Sequence, residues 1–134
     1  MTIEPSTLER LRLVATAVRE HAHAPYSGCQ VGAAVLAASG AVFAGCNVEN
    51  ASYGLAICAE RNAVAAAVAA GDSRLVAIVV VTDADPPWSP CGACRQVLAE
   101  FGDFPVALAD LTGVVEVTSV GALLPRAFSK ASLG

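Results

Sequence analysis

The 134-residue chain carries 8 Lys and Arg against 12 Asp and Glu, a formal net charge of −4, and no cluster of basic residues, so a nucleic-acid polymer is excluded as a partner. With 55% hydrophobic and only 15% charged residues, it is too apolar for a solitary small globule, and further copies of itself are expected to cover part of the surface. No segment is long and apolar enough to span a membrane and the N-terminus has no signal-peptide pattern, so the expectation is one cytoplasmic domain, residues 1–134.

Ser6 and Glu9 have the spacing of a capping box, and Leu8, Leu11, Ala15 and Val18 recur at helical intervals, which predicts an amphipathic helix to about residue 22. Pro25-Tyr26-Ser27-Gly28 ends it. Two short β-rich runs, residues 31–36 and 42–46, then flank a turn at Ser39-Gly40 and predict a hairpin. Residues 57–70 are alanine-rich and proline-free, with Gly71 at the C-terminal capping position, as in a second helix. The unbroken aliphatic run 75–82 predicts a strand covered on both faces, at the centre of the sheet. After a proline-rich stretch, residues 91–101 read as a third helix, 105–109 and 114–117 as strands, and 123–130 as a terminal helical segment. The order is that of an α/β layered domain.

Five cysteines are an odd number for a disulfide framework. Cys91 and Cys94 form a Cys-x-x-Cys after Pro90, which alone fits a redox pair or half of a structural zinc site equally well. Cys58-Ala59-Glu60 also opens a helix, one strand away from that pair. Two helices packed side by side on the sheet bring these N-termini to one end, where their partial positive charge favours three thiolates. Zinc suits such ligands. Three of them leave a fourth position for water, whose pKa a catalytic zinc lowers to roughly 7. Glu60, two residues past a ligand, is placed to act as general acid and base. The bland alternative is an inert zinc staple closed by Cys46, His21 or His23, and a staple has no use for Glu60. Three thiolates on one divalent ion leave a net negative site, so a nearby cation is expected to donate to a ligand sulfur; Arg61 and Arg95 each follow a motif directly.

Cys58-Ala59-Glu60 followed by Pro90-Cys91-Gly92-Ala93-Cys94 resembles the signature of the zinc nucleoside and nucleotide deaminases. Cys58 as first ligand, with the segment from Gly45 to Gly54, is similar to the small homotetrameric cytidine deaminases, over nearly the whole chain. The resemblance implies a three-layer α/β/α sandwich around a five-stranded mixed sheet, one Zn²⁺ per subunit, and a homotetramer with active sites shared between subunits. It implies hydrolytic deamination of cytidine and deoxycytidine to uridine and deoxyuridine with loss of ammonia, as in pyrimidine salvage. Glu60 would protonate ring nitrogen N3 while water is added at C4.

By the same resemblance, Asn47 and Glu49 would bind the ribose hydroxyls, and Ala51 and Tyr53 would reach into a neighbouring subunit's pocket. Phe128 would cover the base of a substrate in another subunit, unless it anchors the last helix in the core. The backbone N–H of Cys58 would meet the base carbonyl, and the carbonyl of Ala59 the leaving amine. Relatives carry Phe at the position of Cys29, where an aromatic contact contributes about 0.5–1.5 kcal/mol beyond area burial; a raised KM and tolerance of bulkier pyrimidines are therefore expected. Two other readings compete with this one: a deaminase of another aminopyrimidine nucleoside such as blasticidin S, and a non-catalytic zinc-stapled domain.

Overall fold

The computed structural model describes residues 2–134. In chain order it has α1 (Pro5–Arg19), β1 (Val31–Ala37), β2 (Val42–Cys46), a 3-10 turn (Tyr53–Leu55), α2 (Ala59–Ala69), β3 (Leu75–Thr82), α3 (Gly92–Glu100), β4 (Pro105–Ala109), β5 (Val114–Ser119), α4 (Val120–Leu123) and a second 3-10 turn (Lys130–Leu133). The strands form one five-stranded sheet in the order β2-β1-β3-β4-β5, with β3 in the middle as expected. It is mixed: β3 and β4 run parallel, and the other neighbours are antiparallel. No helix among the described residues is long and apolar enough to cross a membrane.

The period-two alternation of a strand divides the core into two layers. Ala77, Val79 and Val81 of β3 join Leu8, Leu11 and Ala15 of α1 on one face. On the other, Ile78 and Val80 join Ala63, Val64 and Ala67 of α2 and Leu98 of α3. Each large side chain buried in these layers contributes roughly 1.5–3 kcal/mol relative to exposure. The continuous aliphatic run of β3 is thus explained by burial on both sides, and α2 and α3 are brought to the same face with their N-termini near one edge of the layer.

Two expectations are corrected. No capping box forms at Ser6 and Glu9, because α1 begins two residues earlier than a Ser6 cap requires, with Glu4 at the N-cap and Pro5, whose fixed φ suits it, at the first helical position. Glu9 instead pairs with Arg12, which also donates to the carbonyl of Leu111 at 3.1 Å and ties α1 to the β4–β5 turn. The helical segment expected over 123–130 is absent: α4 stops at Leu123, since Leu124 precedes Pro125 and is excluded from the helical region (φ −135°, ψ 77°).

Gly45 on β2 sets how closely α2 approaches the sheet. A Cβ there would lie 2.3 Å from the nitrogen of Ala63 and 2.6 Å from the oxygen of Ala59, both helix backbone. Gly45→Ala is expected to destabilise the protein by about 1–3 kcal/mol, seen as a melting temperature lower by roughly 3–10 °C. Because Ala59 opens α2, zinc retention should weaken with it; an unchanged melting curve would show that α2 can back away at no cost.

Candidate active site

Cys58 and Cys91 are the N-cap residues of α2 and α3, both with extended backbone (ψ 157° and 169°). The helices therefore start just after these cysteines, which turns both side chains toward the helix ends and not onto helix faces. Cys94 lies one turn into α3 and is buried. The Cys58 and Cys91 sulfurs are 3.7 Å apart, those of Cys91 and Cys94 3.5 Å, and all three Sγ atoms lie within 4.8 Å of one another. Zinc–sulfur bonds of about 2.3 Å at tetrahedral angles require sulfurs about 3.8 Å apart, so the cluster fits one zinc ion. Cys46, His21 and His23 stand outside it, and the described residues offer no fourth His, Cys, Asp or Glu to the cluster.

Ionisation within the cluster is uneven. Hydrogen bonding from Cys94, and then from Arg61 and Cys91, brings the Cys58 thiol down to about 5. The same sulfur pair, with burial, pushes Cys94 up. Cys58 is thus the sulfur most readily ionised, and a divalent cation bound by the cluster would take the place of thiol protons.

Of the two arginines, Arg61 is the one at the sulfurs. Its Nη2 lies 3.7 Å from Cys58 Sγ, and its Nε is buried with no hydrogen-bond partner. Arg95 turns away, donating to the carbonyls of Pro90 (2.7 Å) and Leu123 (2.8 Å) and to Ser89 Oγ (2.8 Å). It ties the turn before Cys91 to the end of α4. Arg61→Ala is expected to weaken zinc binding about 10- to 100-fold in a chelator competition, and Arg95→Ala to lower thermal stability with a smaller effect on zinc; the reverse ranking would contradict this division.

Glu60 sits in the first turn of α2 and is 5% exposed. Burial raises its pKa, and the negative sulfur of Cys58 raises it further, so the carboxyl keeps a proton at higher pH than an ordinary glutamate does. It borders a cavity of about 300 Å³ together with Cys58, Ala59 and Cys91 at one end and Asn47, Glu49 and Cys29 at the other.

The polar residues at the far end are already partly engaged. Asn47 Oδ1 accepts from the backbone N–H of Val31 (2.8 Å) and Nδ2 donates to the carbonyl of Cys29 (2.7 Å). Glu49 accepts from the N–H groups of Tyr26 (3.0 Å) and Ser27 (3.1 Å) and from Ser27 Oγ (2.5 Å). These bonds, that of the Ser27 hydroxyl foremost, hold its carboxyl below the usual range. A carboxylate has about four acceptor positions, so roughly one remains for a ligand.

Ala51, Tyr53 and Phe128 do not line this cavity. Tyr53 is 76% exposed and stands edge-on to Tyr26, and Phe128 is 61% exposed, so it is no core anchor. Ser27, Thr82 and Trp88 also line the cavity, and no motif in the sequence marks them as site residues. Trp88 is the chain's one tryptophan, a signal available in the proline-rich stretch; its backbone N–H donates to Thr82 Oγ1 at 3.1 Å, which folds that stretch over the end of β3.

Residues 5–109 match the model of the cytidine and deoxycytidylate deaminase zinc-binding region. The chain belongs to this family. It is 49% identical over 128 residues to a cytidine deaminase of Sporosarcina psychrophila, covering 94% of each chain. A cytidine deaminase of Mycobacterium tuberculosis is 44% identical over 118 residues, covering 88% of this chain and 86% of the relative. The crystal structure of a cytidine deaminase from Burkholderia pseudomallei superimposes with a TM-score of 0.86 at 52% identity, covering 90% of this chain and 98% of that one. As a member of the deaminase family, the chain is a zinc-dependent enzyme, with Cys58, Cys91 and Cys94 as the cluster that suits the ion.

Proposed function

We propose that this protein deaminates cytidine and deoxycytidine hydrolytically, giving uridine or deoxyuridine and ammonia, as a step of pyrimidine salvage. The observation that carries the reading is the meeting, at one end of the cavity, of a three-cysteine cluster that reaches it through Cys58 and Cys91 and a buried carboxyl of raised pKa. The similarity to cytidine deaminases over most of the chain supports the choice of base.

Cys58, Cys91 and Cys94 would hold the zinc, with Arg61 drawing negative charge from the sulfur of Cys58. Bound there, zinc supplies the Lewis acidity that makes water a nucleophile near neutral pH. Glu60 moves the protons: it accepts one from the incoming water and delivers it to N3 as C4 gains a hydroxyl, then carries the proton of that hydroxyl to the amino group. The C4–N bond breaks, ammonia leaves and the carbonyl of uracil remains. Ala59 forms part of the wall beside the base. At the other end, Asn47 and Glu49 keep acceptor or donor capacity for the sugar hydroxyls, and Cys29 leaves more room than an aromatic would.

A homotetramer completes the proposal. Ala51, Tyr53 and Phe128 lie outside their own chain's cavity, and the two aromatics are too exposed to serve their own core, which supports their contributing to neighbouring sites. Three thiols that must stay reduced to hold a metal support a cytoplasmic setting, with residues 1–134 acting as one deaminase domain.

A substrate panel tests the reading: cytidine, deoxycytidine, free cytosine and blasticidin S, with products separated chromatographically and ammonia measured. Cytidine or deoxycytidine is expected to give the highest kcat/KM. Turnover of blasticidin S alone would transfer the same machinery to a different aminopyrimidine.

A further inference from the structure

The segment from Tyr26 to Gln30 belongs to no helix or strand and lines the cavity through Ser27 and Cys29. Side chains hold it. Asn47 grips its far end through the backbone of Cys29 and Val31. At its near end Ser27 is the node: its Oγ donates to Glu49 Oε2 at 2.5 Å and accepts from the backbone N–H of Cys29 at 3.0 Å, while its own N–H donates to Glu49 Oε1 at 3.1 Å. With the N–H of Tyr26 also on Oε1, that oxygen has both acceptor positions filled. Oε2 carries the position left for a ligand, and the Ser27 hydroxyl is the group that orients it.

We infer that Ser27 is a positioning residue for sugar recognition, aiming the one free acceptor of Glu49 at the 2′- or 3′-hydroxyl of the nucleoside. The inference rests on the nucleoside reading above. A long glutamate side chain with only Oε1 tethered would rotate about that anchor, and ordering it would then be charged against binding. Ser27 does that ordering in advance. It touches neither the sulfur cluster nor Glu60 in the hydrogen-bond network, so its influence belongs to binding and not to the chemical step.

Steady-state kinetics on zinc-loaded Ser27→Ala, Ser27→Thr, Glu49→Gln and the Ser27→Ala/Glu49→Gln pair test this, with cytidine and with 2′,3′-dideoxycytidine, which lacks the 2′- and 3′-hydroxyls and keeps only the 5′-hydroxyl. Loss of a hydrogen bond to a charged group predicts a KM for cytidine raised about tenfold in Ser27→Ala, with kcat little changed and the threonine variant close to wild type. For dideoxycytidine, Ser27→Ala should have no effect, and in the Glu49→Gln background it should add nothing. An equal loss on both substrates would make Ser27 a wall residue only and overturn the inference, as would an unchanged KM for cytidine. Wild-type protein inactive on both nucleosides would instead overturn the deaminase reading beneath it.

Discussion

Glu60→Gln is expected to lower kcat for cytidine by at least about 10²–10⁴-fold, the range general acid–base catalysis supplies, while the protein keeps its zinc and its fold. The amide has nearly the shape of the carboxyl, so the cavity and the packing of α2 on β2 survive. What disappears is the ability to take a proton from water and give it to N3. The burial that raises the carboxyl's pKa also makes this loss hard to replace: at 5% exposure, bulk buffer has little access to stand in for it. Zinc content by elemental analysis and a thermal melt accompany the kinetics. A variant retaining more than a tenth of wild-type kcat would remove Glu60 from the chemistry and return it to an ordinary acidic residue in a helix's first turn.

The second large effect concerns the cysteines. Cys91→Ala should reduce bound zinc to trace levels and turnover to background, yet leave a folded protein. Cys91 is exposed and sits at a helix cap, outside both apolar layers, so its removal deletes a ligand without opening a cavity in the core. Cys94→Ala should lose zinc as well, but with a lower melting temperature, because Cys94 is fully buried and the change leaves space behind. Any stabilisation contributed by zinc follows mass action and vanishes in both variants, so the difference between their melts isolates the packing of Cys94. Full zinc occupancy in Cys91→Ala would mean that the ion is held by other groups.

Much of this was legible in the sequence, for identifiable reasons. The central strand announced itself because burial on both faces demands the unbroken aliphatic run of β3. The metal cluster was legible because two short motifs, each at a helix start, had to converge once their helices packed on one face of the sheet. The C-terminus was misread because alanine and leucine favour helix locally, whereas Pro125 constrains the residue before it and ends α4. Arg61 and Arg95 looked equivalent in sequence; only the fold separates the one at the sulfur of Cys58 from the one bracing the turn before Cys91. Ser27 and Trp88 carry no motif that marks them as site residues, beyond Trp88 being the one tryptophan, since their place in the cavity comes from irregular segments that tertiary hydrogen bonds shape. Tyr53 and Phe128 carry apolar surface that their own chain does not cover, a feature hydrophobic periodicity cannot assign.

The most direct test is to add zinc-loaded protein to cytidine and follow the ultraviolet change from cytosine to uracil, before and after stripping the metal and again after restoring zinc. The account predicts steady conversion, its loss on stripping and its return with zinc. No conversion by folded, zinc-replete protein would contradict it.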